Sequence, residues 1–184
     1  RPLLDVGSPI QAVLDALDLL QGKHPFSAAN VRKVTVRLAT NEAAIVNNRE
    51  IAEICVQHMV AVMLMDKTVS FTSAHDKARI HDPATLKERE KVELIPDDQL
   101  ERLMPLRVAV VELTLTDGTT LQQRVDDVRG TVKNPMSRDE VVDKARDLMG
   151  PVLGKIQSSA LIEKILRLDE VPDVRELRPL LQRA

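Results

Sequence analysis

The sequence predicts an α+β fold: an antiparallel sheet of about four strands with helices packed on one face, plus a C-terminal helical arm. Three observations predict it. "VRKVTVRLA" (31–39) alternates strictly between apolar and polar residues, as a strand with one buried face does. "RVAVVELTLTDGTTLQQRVD" (107–126) repeats that alternation on both sides of an Asp-Gly pair, which accepts the positive φ angles of a tight hairpin turn. Around these strands stand segments whose apolar residues recur at three- and four-residue spacing, the period of a helix.

Taken in order, residues 8–20 read as a helix. Ser8 suits its N-cap, Pro9 the first helical position, and Gly22 ends the run. In the strand at 31–39, Val34, Val36 and Leu38 face the core, and Lys33, Thr35 and Arg37 face outward. "NEAAIVNNRE" (41–50) is a polar connection with room for a short strand at 44–46. Residues 50–65 form an apolar helix, and the mixed stretch to Glu90 holds short helical pieces broken at Pro83. "KVELI" (91–95) is a short strand and 96–104 a short helix. In the hairpin, Ala109, Val111, Leu113 and Leu115 form the core face; Arg129-Gly130 has the look of a strand end. Ser137 and Glu140 form a capping box for the next helix, stopped at Gly150-Pro151. Two more helices follow at about 155–168 and 173–182. The order β–α–β–β–β–α does not demand a parallel sheet.

Composition excludes several functions. A net charge of -2 offers no basic footprint for nucleic acid and no polybasic membrane patch, and two Phe without Trp or Tyr give no stacking platform. The longest apolar run, 59–65, is far short of the ~20 residues a membrane span requires. With one cysteine, Cys55, there is no internal disulfide, and no signal peptide is visible; a cytoplasmic location is expected. The start at Arg1-Pro2, without Met, is expected of a piece of something longer.

Candidate chemistry is sparse. His75, Asp76 and His81 have poor ligand spacing and no cysteine beside them, so no metal site is expected. The six glycines form no phosphate loop. His58 stands out, on the apolar helix with Ile54, Ala61, Val62 and Met65 on its face. Two readings are open: a neutral core histidine with one hydrogen-bond partner, or a proton-transfer group on a helix that lines a cleft.

"GSPIQAVLDALDLL", "ICVQHMVAVMLMDKTVSFTSAHD" and "VRGTVKNPMSRDEVVDKARDLMGPVLG" resemble, in order, segments of the C-terminal half of the MmgE/PrpD family. That family includes 2-methylcitrate dehydratase, cis-aconitate decarboxylase and iminodisuccinate epimerase. The resemblance covers essentially the whole chain and implies a bacterial, cofactor-independent lyase or isomerase of small di- or tricarboxylates, with propionate metabolism as the setting. It also implies a homodimer, and an N-terminal helical domain of the same protein that closes the active-site cleft. On that reading 1–22 border the cleft, 23–150 form the small α+β domain, and 151–184 pack on the helical domain. The resemblance makes His58 catalytic, at a position that is tyrosine in the decarboxylase branch, and places Ser8 and Gln11 at the substrate. Family members carry a functional lysine just before "GSPIQA"; here 1–22 contain no Lys, and Arg1 is the nearest cation. Half an active site is expected to be inactive alone.

The competing reading is a stand-alone α+β interaction or metabolite-binding module without catalysis. The two differ at His58: the enzyme reading expects an accessible imidazole, the module a covered one.

Overall fold

Helix α1 (Ser8–Lys23) opens the part of the chain that the computed structural model describes, residues 6–182. Ile10, Val13, Leu14, Leu17 and Leu20 all lie on its buried side, as their spacing predicts. Its ends differ from expectation. Gly7 takes the cap position and Ser8 is the first helical residue, while the helix passes through Gly22 and stops at Lys23.

Strand β1 (Val31–Ala39) follows, with Val34, Val36 and Leu38 buried. The short strand expected at 44–46 is instead the end of helix α2 (Thr40–Val46). Both edges of β1 are already paired, and Ala43 and Val46, three residues apart, bury together on one helical side. The apolar helix α3 (Val56–Asp66) begins later than expected, because residues 52–54 form a separate 3-10 turn and Cys55 has extended backbone. Two short helices come next, α4 (Phe71–Ala74) and α5 (Pro83–Arg89); the Asp82 carboxylate caps α5 by accepting from the Thr85 amide at 2.9 Å. Strand β2 (Val92–Asp97), helix α6 (Asp98–Glu101) and the hairpin of β3 (Ala109–Leu115) and β4 (Thr120–Val125) complete this part.

The strand order is β2-β1-β3-β4. Ala109, Val111 and Leu113 are the buried face of β3, as the alternation predicts. One pairing departs from an all-antiparallel sheet: β2 runs parallel to β1, from Val34 opposite Val92 to Ala39 opposite Asp97. The chain between them returns through α2 to α5, the long crossover that a parallel pair requires. The hairpin loop is also one residue longer than a two-residue turn. Leu115 donates to Thr119 at 2.8 Å across residues 116–118, and of the Asp-Gly pair only Gly118 has a positive φ, 90°. Arg129-Gly130 ends no strand; it lies in a looped segment after β4.

The main core joins α1 and α3 to one sheet face. The other face is not bare. Ala39, Leu100, Val108 and Val110 form a smaller apolar cluster there, with Leu100 supplied by α6.

By compactness, residues 6–135 form one unit and 136–182 another. The second is built on α7 (Arg138–Leu166), and Ser137 and Glu140 form the expected capping box. The helix does not stop at Gly150-Pro151. It breaks at Gly154, whose φ of 76° and ψ of 162° are open to a residue without Cβ. Beyond it, 168–170 and 174–181 are 3-10 turns rather than α-helix. The Gln157 side chain ties the last of these back by donating to the Leu180 carbonyl at 2.9 Å, and Lys164 pairs with Glu176 at 2.5 Å.

Candidate functional site

The start of α1, the segment before β3 and the loop after β4 enclose a cleft of about 410 Å³. Ser8 and Gln11 both line it, together with Arg107, Asp126, Asp127, Thr131 and Lys133. The two residues that the resemblance singled out for substrate are therefore on one surface, one helical turn apart.

Local chemistry explains why α1 begins there. The Gly7 amide donates to the Glu53 carbonyl at 2.8 Å, and a Cβ on Gly7 would stand 3.2 Å from the Ile54 side chain. The chain approaches too closely for a larger residue to fit without displacing Ile54. Because Gly7 has no side chain, no side-chain cap closes the helix, and Ser8 is left with its hydroxyl unengaged among the described residues. The Gln11 amide is equally unengaged there. The helix start adds the positive end of its dipole to this surface, while Pro9 has no N–H and the Ile10 amide already donates to the Gly7 carbonyl at 2.9 Å.

The loop after β4 is pinned rather than slack. Its Arg129 amide donates to the Asp15 carboxylate on α1 at 2.9 Å, Asn134 donates to the Asp127 carbonyl at 3.0 Å, and Val128 is buried in the core. These ties hold Asp127, Thr131 and Lys133 at the cleft wall.

The charges balance unevenly. Asp126 is paired with Arg124 at 2.7 Å, and Asp127 faces Lys133 at 4.0 Å. Arg107 donates to Glu42, a carboxylate from α2 that is 2% exposed and lies behind the wall. Burial raises the Glu42 pKa above the ordinary carboxylate value; the nearby Arg107 pulls it back down without cancelling the shift. The cleft thus presents two cations, a partly exposed guanidinium and an ammonium that faces Asp127, beside the Asp126 and Asp127 carboxylates, with a helix start and two polar side chains. Such a set orients a carboxylate by charge and by donated hydrogen bonds.

His58 is not part of this surface, and its expected accessibility is corrected. The ring is 0% exposed, and neither nitrogen has a hydrogen-bond partner among the described residues. Helix α3 is apolar on nearly every side because α1, α5 and β2 all pack against it, so no face is left open. Burial, then the Arg89 and Arg79 charges, lower the His58 pKa to about 4, which keeps the ring neutral. The neighbouring Gln57 is buried too, but satisfied: it accepts from the Asn48 amide at 2.9 Å and donates to Asn47 at 2.7 Å. Arg1, the cation nearest the expected lysine position, lies outside the described residues. No group of His, Cys, Asp and Glu among the described residues could hold a metal ion. Among them, no helix is long and apolar enough to cross a membrane.

Arg107, Lys133 and Glu42 were not among the sequence candidates. Glu42 and Arg107 lie 65 residues apart, and nothing in their flanking residues marks them as partners.

An α+β domain with a polar, cation-bearing cleft at a helix start is the class these features define. The model of the MmgE/PrpD C-terminal domain matches residues 6–170, and the chain belongs to that family. Two relatives are cis-aconitate decarboxylases. That of Homo sapiens is 28% identical over 127 residues, which cover 68% of this chain and 26% of the relative. That of Aspergillus terreus is 25% identical over 189 residues, covering 94% of this chain and 38% of the relative. The chain thus matches between a quarter and two-fifths of the length of these lyases.

Proposed function

We propose that this chain is the α+β part of a lyase or isomerase of small di- or tricarboxylates, and that its cleft binds a substrate carboxylate. The observation that carries the reading is the meeting of Ser8 and Gln11 with Arg107 and Lys133 in one cleft. Removing or adding a proton at a carbon beside a carboxylate builds enolate-like charge. A guanidinium and a helix start fixed at that carboxylate stabilise such charge without having to reorganise. The acid–base group itself is assigned to the helical domain of the same protein, so the present chain binds but does not turn over. A 2-methylcitrate dehydratase-like elimination and a decarboxylation are both within this chemistry, and the relatives named above favour a tricarboxylate. A cytoplasmic homodimer that needs no cofactor completes the proposal.

Calorimetric titration of the full chain with cis-aconitate tests it. Millimolar or tighter binding is expected, weakened about tenfold or more by Arg107→Ala and by the Ser8→Ala/Gln11→Ala pair. A folded chain that binds no tricarboxylate would sink the reading.

One observation favours the second reading, a binding module without catalysis: the sealed His58 ring supplies no acid or base. Reading the coding sequence upstream of Arg1 separates the two. Several hundred in-frame helical residues support the enzyme; a start codon beside Arg1 supports the module.

A further inference from the structure

Glu42 is a costly residue to keep where it is. Its side chain is 3% exposed, one carboxylate oxygen meets Arg107, and the other, Oε2, is buried without a hydrogen-bond partner among the described residues. A carboxylate buried for the sake of one ion pair contributes little to stability compared with an apolar residue of the same volume, so stability alone is a weak reason for it. Its partner is placed differently. The Arg107 side chain is 40% exposed and lines the cleft, and among the described residues Glu42 is its one charged partner. One of the five N–H donors of the guanidinium is engaged there, and the rest are available. The backbone of this arginine is already fixed, because Val108 and Ala109 directly after it are buried. What remains free in such a residue is the long side chain with its many rotamers.

We propose that Glu42 is a positioning residue: from inside the core it fixes the Arg107 guanidinium so that its remaining donors meet a substrate carboxylate in the Ser8–Gln11 cleft. The inference rests on the carboxylate-binding reading above and adds the residue that sets its geometry. Glu42 touches no substrate. It acts by removing, before binding, the disorder that a carboxylate would otherwise have to remove itself. Helix α2 supplies the rigidity, since Ala43 and Val46 anchor it in the main core.

The test is a double-mutant cycle in the full chain, with propane-1,2,3-tricarboxylate as the non-reacting probe and calorimetry as the readout. Glu42→Ala is expected to weaken binding about tenfold while Arg107 is present, and to change nothing further in an Arg107→Ala background. Glu42→Gln keeps an acceptor oxygen at the same place and is expected to restore affinity to within about threefold of the parent. A purely structural role would lower the melting temperature of Glu42→Ala and leave the affinity of the folded fraction unchanged. Should Glu42→Ala fail to fold, Glu42→Met fills the same volume without an acceptor and carries the same comparison. Parent-like affinity in the acceptor-less variant, or an equal loss with and without Arg107, overturns the inference while leaving the cleft reading in place. Absence of binding by the folded parent chain is a different result, and removes both.

Discussion

An imidazole closed off from solvent and without a hydrogen-bond partner among the described residues is held neutral, and His58 pays for that in acid. Its pKa is about 6.5 in an unfolded chain and about 4 in the folded one. The unfolded chain therefore takes up a proton first. Stability is complete above pH 6.5 and is lost progressively as pH falls toward 4, by about 3 kcal/mol in all. Urea titrations at pH 7.5, 5.5 and 4.5 should show this loss in the parent chain and a shallower one in His58→Leu. Since the ring makes no hydrogen bond, that variant is expected to be no less stable at pH 7.5. An unchanged pH slope would mean the ring is not the titrating group. Sequence showed that His58 belongs to an apolar helix, but the helix pattern does not tell which neighbours cover the polar residue. Arg79, Arg89 and Asp76 reach it only through the folding of the connection that follows α3.

At the level of elements, the junction of β2 and α6 concentrates its bonding in Asp97. This carboxylate accepts from the amides of Gln99 at 2.8 Å and Leu100 at 3.2 Å, and pairs with Arg37 of β1. It therefore closes the parallel strand pair and caps the helix whose Leu100 covers the second apolar cluster. Asp97→Ala is expected to cost about 2 kcal/mol in chemical denaturation, the sum of a lost cap and a lost charged hydrogen bond. A cost below about 0.5 kcal/mol, the size of an ordinary surface change, would show that the junction is held otherwise. The individual elements were largely legible: α1, β1, the hairpin and the capping box at Ser137 follow from spacing and side-chain type. The parallel pairing was not. "KVELI" has the same alternation whichever way it pairs, and direction is set by where the crossover delivers the chain.

For the whole molecule, the unit of residues 136–182 leaves large apolar side chains uncovered. Ile156 is 88% exposed, Val174 66% and Leu181 61%. Exposed apolar surface drives association. Sedimentation velocity is expected to show concentration-dependent self-association, reduced by Ile156→Lys; a monomer at every concentration would count against it. By itself the sequence determined the fold class, most element positions and the family, because these depend on periodicity, turn residues and the order of segments along the chain. Ser8 and Gln11 were singled out by the resemblance, and one helical turn separates them. Only the tertiary structure decided that β2 runs parallel, that the His58 ring is sealed, and that Glu42 stands behind Arg107 at the cleft. Those outcomes depend on residues far apart in the chain meeting in space, and local spacing holds no record of such meetings.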